Sequence, residues 1–295
     1  MKGLVKTSLL TTSLTLLALG AGALPSQAGT LVGDWNYAID SFTDGTDFGV
    51  VGEQSRFEFY GIAVKSTADK VFVGINSNLA LTGFAHRNAL NGSMTYGDLF
   101  FNFTGFGLDD ANGSLFAVKF AEGNDSGVGQ LGLYGNVTGQ NTAQYNLGYG
   151  HLNQHTLNNN TIDPTMADLS NTDAYFQSGV NTNWKASTLI KTGDFLGGIN
   201  LLGATDLADL GLDFSPFGTK GKYTFGFSFD RNLLPDGDYI AHVFAECLND
   251  GMAIASTLRP VEIPPDSEDV PEPTMILGLA AVAGLVMSQR RTRIA

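Results

Sequence analysis

The chain has 295 residues, with 16 Lys and Arg against 29 Asp and Glu, so its formal net charge is −13. A protein this acidic repels phosphate backbones, which excludes nucleic acid as an expected partner. Cys247 is the single cysteine, so an internal disulfide is excluded, and its apolar neighbours predict a buried structural thiol.

The start of the chain has the pattern of a signal peptide. A basic segment, Met1–Lys6, precedes an uncharged apolar stretch over residues 9–23. A tripeptide with small residues at both recognition positions of signal peptidase then ends at Ala28. We predict an N-terminal signal helix over residues 1–28, cleaved by signal peptidase before Gly29. An uncleaved anchor is disfavoured because the stretch is short for a membrane span.

Two aspartate-rich loops are candidate calcium sites. Asp40, Asp44 and Asp47 lie close together in the first loop, and Asp109 and Asp110 lie in the second. Calcium prefers carboxylate and carbonyl oxygens from such loops, but the spacing of an EF-hand is missing. Asp/Gly turns are also common without metal. We therefore expect no cofactor, with calcium as the candidate ion if one binds.

Residues 29–259 carry the strand signal. Tyr223, Phe225, Phe227 and Phe229 alternate with small residues, which is the period of a β-strand. Because such runs are separated by Gly/Asn/Asp turns, we predict an all-β fold with a single β-sandwich, of which a jelly roll is one variant. The other runs are Arg56–Val64, Lys70–Ile75, Asp98–Phe103, Leu115–Phe120, Gln130–Val137, Phe195–Leu202 and Asp238–Cys247.

Residues 140–185 depart from this pattern because they are crowded with Asn, Thr, Gln and Gly. They predict either a long excursion with weak strands or a partly disordered loop. His151 and His155 have the spacing of two metal ligands on a helix, but no acid lies between them, so a solvated loop is expected instead. Trp184 has polar neighbours and is the candidate for stacking on a sugar. A short helical turn is predicted at Thr205–Leu210.

The sequence contains no nucleophile elbow, phosphate loop or dinucleotide fingerprint. His242 lies in a strand pattern, which predicts a packed or hydrogen-bonded side chain rather than a catalytic one. The paired carboxylates of a glycosidase come from different strands and leave no sequence spacing, so none of the 29 acids can be nominated. We predict that the protein is not an enzyme.

The C-terminal part combines a spacer with a short apolar segment. Residues 260–273 are rich in proline and acid, which predicts an extended, solvated spacer ending in Pro271-Glu272-Pro273. Residues 274–295 contain the apolar run Met275–Met287, followed by Arg290-Arg291. As a helix this run spans about 20 Å, short of a hydrocarbon core of about 30 Å. It predicts a short membrane helix with its basic end in the cytoplasm.

This order of elements resembles the PEP-CTERM sorting signal of bacterial surface proteins. The resemblance implies that an exosortase recognises Pro271, Glu272 and Pro273 and removes the membrane tail that contains Arg290 and Arg291. The domain is then released or attached outside the cell, often among exopolysaccharide. An ordinary single-pass anchor is the alternative.

The exported domain also resembles, more loosely, a group of exosortase-dependent surface proteins with no established activity. Three segments carry this resemblance: Gly97–Phe103, Phe120-Ala121 with Asn124–Val128, and Glu246–Gly251. It implies no functional residue in this chain.

Together these features predict a non-enzymatic exported protein of the cell surface or extracellular matrix, transiently anchored in the inner membrane before an exosortase processes it. Signal peptidase and exosortase are the expected partners, with exopolysaccharide as a further candidate. A lectin-like polysaccharide-binding module is the first alternative function, and a secreted glycoside-active enzyme is the second.

Overall fold

The computed structural model describes residues 29–152, 154–155, 165–177 and 186–259. The predicted signal peptide with Ala28, the sugar-stacking candidate Trp184, and the spacer and tail over residues 260–295 lie outside these residues. The chain divides after Arg259, and its second unit falls wholly in that undescribed tail. No helix in the described ranges is long and apolar enough to cross a membrane.

The described chain is built mainly from β-strands, which confirms the all-β prediction. In chain order the strands are β1 (Thr30–Val32), β2 (Trp35–Ile39), β3 (Thr46–Asp47), β4 (Val50–Val51), β5 (Phe59–Ser66), β6 (Lys70–Ser77), β7 (Phe84–Ala85), β8 (Ser93–Met94), β9 (Leu99–Asn102), β10 (Leu115–Lys119), β11 (Gly132–Gln140), β12 (Thr165–Met166), β13 (Leu169–Ser170), β14 (Leu189–Gly197), β15 (Asn200–Gly203), β16 (Tyr223–Asp230), β17 (Gly237–Phe244) and β18 (Gly251–Leu258). The helical elements include α1 (Ala204–Asp209), at the predicted helical turn, and 3₁₀ turns at Ala143–Asn146, Ser215–Phe217 and Arg231–Leu233.

Two antiparallel sheets of six strands organise the fold. The first has the order β1-β2-β5-β6-β16-β15, and the second has the order β14-β11-β10-β9-β17-β18. Hairpins supply neighbours such as β5–β6 and β17–β18, whereas β6 pairs with β16 and β9 pairs with β17 across long stretches of sequence. Each sheet is therefore completed only when distant parts of the chain meet.

The main core lies between the two sheets. Its buried side chains come from β5, β6 and β16 on one side and from β9, β10, β17 and β18 on the other. Phe227 is fully buried, and its ring centroid lies 5.1 Å from that of Phe120, which follows β10. Phe225 and Phe229 point into the same layer. The predicted alternation in β16 is thus confirmed, and the arrangement is β-sandwich-like.

The outer faces of both sheets are also covered. Side chains of opposite parity in the same strands form two further buried clusters, because successive residues of a strand point to opposite faces. On the first sheet the segment around α1 supplies the cover, and Leu212 sits against Gly74, where a Cβ atom would lie 2.5 Å from a Leu212 methyl carbon. On the second sheet Tyr175 and Phe176 supply part of the cover. Residues 165–177 of the Asn-rich segment are therefore a packed excursion containing the short pair β12–β13.

One predicted strand is wrong in its extent. The run Phe195–Leu202 is not a single strand, because it is divided between β14 of the second sheet and β15 of the first. Gly198 and Ile199 lie between the two strands. Glycine lacks a side chain to hold the pleat, and here the chain crosses from one sheet to the other.

The inter-sheet core predicts a large difference between two phenylalanines. Phe227→Ala removes a fully buried ring, and we expect it to lower the free energy of unfolding by about 3–5 kcal/mol because a cavity remains. Phe106 is 66% exposed, so Phe106→Ala is the matched control and should change this free energy by less than about 1 kcal/mol. Urea unfolding of the full chain measures both values, and equal losses would contradict the assigned core.

Candidate functional site

Three buried aspartates meet where the connection from β2 to β5 touches the turn between β17 and β18. Asp40, Asp44 and Asp250 each offer a carboxylate oxygen, and these oxygens all lie within 4.8 Å of one another. Their side chains belong to residues that are only 5%, 2% and 3% exposed. We call this group, together with the adjacent Glu58, the acid cluster. It is the candidate functional site of the described chain.

Backbone N–H groups hold two of these aspartates in place. Asp40 directly follows β2, and its Oδ1 accepts a hydrogen bond of 2.9 Å from the Ala167 N–H. Asp250 directly precedes β18, and its Oδ2 accepts a hydrogen bond of 2.6 Å from the Phe59 N–H. Its Oδ1 accepts a further bond of 2.7 Å from the Gly251 N–H. The cluster therefore joins a connection of the first sheet to the hairpin of the second.

Glu58 brings a fourth carboxyl group to the cluster. It is fully buried just before β5, and its Oε2 accepts a hydrogen bond of 2.9 Å from the Gly45 N–H. A Cβ atom at Gly45 would lie 2.5 Å from the Glu58 Cα and 2.8 Å from Asp250 Oδ2. Only glycine lets the backbone of this loop pass so close to the acids.

Two oxygens of the cluster lack a hydrogen-bond partner among the described residues. These atoms are Oδ2 of Asp40 and Oε1 of Glu58, and both are buried. A buried charged oxygen without a partner is unfavourable by several kcal/mol as an order of magnitude. No ion pair in the described chain joins Asp40, Glu58 or Asp250 to a Lys, Arg or His side chain.

Burial and the neighbouring carboxylates raise the pKa values of three acids in the cluster. Burial, followed by the charge of Asp44, raises the pKa of Asp40 well above its ordinary value. Burial and then the charges of Asp44, Asp40 and Glu58 do the same to the pKa of Asp250. The pKa of Glu58 rises to about 8 for the same two reasons, burial first and Asp44 second. The site therefore favours anything that neutralises negative charge.

The structure keeps only part of the predicted calcium loops. Asp40 and Asp44 meet as predicted, but Asp47 turns to Arg56, whose Nε donates to its Oδ2. In the second loop Asp110 is exposed and Asp109 is half-buried. In the described part of the chain, no other group of three His, Cys, Asp or Glu side chains lies close enough to hold a metal ion.

Asp250 and Glu58 are the site residues that sequence reasoning missed. Asp250 belongs to an Asn-Asp-Gly turn, which has an ordinary structural explanation, and Glu58 lies at the start of a strand run. Neither residue is near Asp40 in sequence. The one available signal was that Asp250 lies in a segment carrying the loose family resemblance.

In a second buried polar network, the carboxylate oxygens of two acids all accept hydrogen bonds. Both oxygens of Asp98 accept hydrogen bonds, from Asn124 Nδ2 at 2.8 Å and from Ser126 Oγ at 2.8 Å. Burial raises the pKa of Asp98 to about 6, and the nearby Lys119 ammonium opposes this rise. Both oxygens of Glu246 also accept backbone N–H bonds. The three segments of the loose resemblance thus meet in this network, where their polar residues are structural.

The histidines have structural positions. His242 is fully buried, stacks on Phe100 with ring centroids 5.2 Å apart, and has its Nδ1 2.9 Å from the Tyr175 hydroxyl. His155 is also buried, with Nε2 3.0 Å from the carbonyl oxygen of Asp44, so the expected solvated loop is wrong at this residue. The ring lies beside the acid cluster, where His155 and apolar residues such as Leu248 line a common cavity.

Cys247 is buried as predicted, and burial raises the pKa of its thiol, which disfavours the reactive thiolate.

No family model, curated protein or solved structure matched this chain.

Burial of His242 predicts a specific loss of stability in acid. Burial lowers the pKa of His242 to about 4, whereas an unfolded histidine titrates near pH 6.5. The stabilising effect of the neutral ring is therefore complete above pH 6.5 and is lost as the pH falls through about 4. Between pH 7 and pH 4 this linkage amounts to about 3 kcal/mol.

We expect His242→Phe to reduce the drop in unfolding free energy between pH 7 and pH 4 relative to the unmodified chain. Urea unfolding at both pH values measures this difference. Both chains contain the same acidic residues, so the difference between their pH dependences reports on His242 alone. Phe106→Ala, at an exposed position whose side chain does not titrate, is the control and should retain the original pH dependence. An identical drop in the His242→Phe chain would contradict the argument.

Proposed function

We propose that this chain is a non-enzymatic exported protein of the cell surface or extracellular matrix, processed by signal peptidase and an exosortase. The observation that carries the proposal is the order of Pro271-Glu272-Pro273, an apolar run and Arg290-Arg291 behind a β-rich domain. The proposal includes the signal helix over residues 1–28, transient anchoring by residues 274–295, and a single β-sandwich, with the jelly roll as one variant of its topology.

The end of the folded domain supports access of a membrane enzyme to the sorting signal. The last strand, β18, is an outer strand of the second sheet, and Arg259 after it is exposed. The segment from Arg259 to Pro271 spans at most about 40 Å when extended. A spacer of this length is what we expect where a transpeptidase at the membrane surface must reach the tripeptide.

The positions of the chemically capable residues support a non-enzymatic role. A glycosidase needs two carboxyl groups on either side of a bound sugar in an accessible cleft. The acids of the acid cluster are instead at most 5% exposed, and His155 and His242 are buried as well. A polymeric substrate cannot approach groups enclosed in this way.

The sorting proposal predicts a change in location when the tripeptide is altered. We expect the unmodified protein, expressed in its native host, to begin at Gly29, to lack Met275–Ala295 and to appear outside the membrane. With Pro271, Glu272 and Pro273 all changed to Ala, the tail should remain and the protein should accumulate in the membrane fraction. Intact mass and cell fractionation measure both properties.

The matched control changes Pro264, Pro265 and Asp266 to Ala, which removes two prolines and an acid elsewhere in the spacer. This variant should be processed normally. If the unmodified protein retains its tail in the membrane, the chain is a plain anchored ectodomain and the sorting proposal is wrong. If both triple variants fail alike, spacer composition rather than the tripeptide is recognised.

A further inference from the structure

We propose that the acid cluster is a binding site for one calcium ion, with Asp40, Asp44 and Asp250 as carboxylate ligands and Glu58 as the adjacent fourth acid. This inference goes beyond the proposed function and does not depend on it, because the site and the sorting signal are separate parts of the chain. The proposed function gives the domain a cellular location but no ligand, and this inference adds one.

The spacing of the carboxylate oxygens fits a shared calcium ion. Calcium binds oxygen at 2.3–2.6 Å, so two oxygens on opposite sides of one ion are separated by at most about 5 Å. One oxygen from each of Asp40, Asp44 and Asp250 lies within 4.8 Å of the other two. Oxygens this close together have the spacing of ligands that share one ion.

The unpartnered oxygens are a second, independent indication. Asp40 Oδ2 is buried without a hydrogen-bond partner in a residue that is 95% buried, and Glu58 Oε1 is in the same condition in a fully buried residue. Buried polar atoms are almost always satisfied, and two unsatisfied carboxylate oxygens in one acidic cluster are atoms that a cation would neutralise. The acid cluster collects such exceptions around the three aspartates.

The network around Asp98 provides an internal comparison. There the fold supplies a Lys119 ammonium, whose Nζ donates to Asn124 at 2.6 Å, and every oxygen of Asp98 and Glu246 has a donor. The acid cluster is equally buried, yet no ion pair in the described chain joins Asp40, Glu58 or Asp250 to a Lys, Arg or His side chain. Lys119 acts on Asp98 through the amide of Asn124, whereas a divalent cation would supply positive charge to the acid cluster directly.

The chemistry of the donors selects calcium. All ligands are carboxylate oxygens, which hard cations prefer, while zinc and copper sites use imidazole and thiolate. The nearby imidazole nitrogen, Nε2 of His155, lies 3.0 Å from the carbonyl oxygen of Asp44. Magnesium dehydrates reluctantly and keeps several waters, so a site whose ligands are at most 5% exposed favours calcium.

The ion would connect the two sheets. Asp40 and Asp44 belong to the connection between β2 and β5, whereas Asp250 ends the turn between β17 and β18. The same two segments already share a backbone bond of 3.0 Å from Thr46 N–H to the Asn249 carbonyl. Calcium is therefore expected to stabilise the folded domain rather than to take part in a reaction.

The test uses the full chain in mild detergent, stripped with EDTA and exchanged into chelator-free buffer. Calorimetric titration with CaCl₂ should show one ion per chain, with weaker binding of MgCl₂. At a calcium concentration of about 100 times Kd the melting temperature should rise by about 5–10 °C, and EDTA should reverse the rise.

Asp40→Asn is the decisive variant. It leaves Oδ1 to accept the Ala167 N–H and replaces the unpartnered oxygen by an amide. We expect calcium affinity to fall at least about tenfold, while the melting temperature in EDTA stays equal to or above that of the unmodified chain. Asp110→Asn, in the other aspartate-rich loop, is the matched control and should bind calcium normally.

The outcomes separate the explanations. If the folded, EDTA-stripped chain takes up no calcium, or takes it up with the same affinity in Asp40→Asn, the proposal is wrong. Loss of binding in Asp110→Asn alone would place the ion in the second loop and also overturn it. If Asp40→Asn melts below the unmodified chain in EDTA, Glu58→Gln replaces it in the comparison, since it also removes an unpartnered oxygen. Fractionation of the sorting variants is independent of all these results.

Discussion

The packing of two six-stranded sheets against each other is the constraint on which the rest of this structure depends. Water is excluded from the layer around Phe227 only if β16 of the first sheet faces β9, β10 and β17 of the second. Once the sheets face each other, the connections at their ends must also meet. The loop from β2 to β5 is thereby pressed against the β17–β18 turn, and the acids that these segments carry become neighbours.

The two buried polar clusters show two solutions to one physical problem. Charges removed from water must be neutralised or given hydrogen-bond donors, since their desolvation is strongly unfavourable. Around Asp98 the chain supplies amide and hydroxyl donors and the ammonium of Lys119. Around Asp40 it supplies backbone N–H groups for some oxygens and more negative charge from Glu58 and Asp250. The second arrangement is stable with a proton or a cation, and its oxygen spacing suits calcium.

The proposed location and the proposed ion are consistent with each other. Calcium outside cells is available at concentrations that suit protein sites with Kd values of about 10⁻⁴–10⁻³ M. A domain with one cysteine has no disulfide to cross-link its two sheets. An ion between the β2–β5 connection and the β17–β18 turn would cross-link the two sheets in place of a disulfide.

The sequence by itself determined the local features of this protein. Period-two alternation placed β16 and also β5, β6, β9, β10, β11 and β17, because side chains on alternate faces leave that pattern wherever one face is buried. It did not place β2 or β18, which are also strands of the two large sheets. Asp40 and Asp44 were recognised together because they share one loop. The proposed sorting signal, which lies outside the described residues, is likewise inferred from a local pattern.

Only the tertiary structure decided the features that depend on long-range contacts. Asp250 joins the site through a hydrogen bond to Phe59, 191 residues away in sequence, and no local pattern records such a contact. Asp47 left the predicted set because Arg56 competes for it. The run around Phe195 was divided because its two halves pair with different sheets. In each case the outcome was set by which distant segment the folded chain brought near, and composition or periodicity carries no information about that choice.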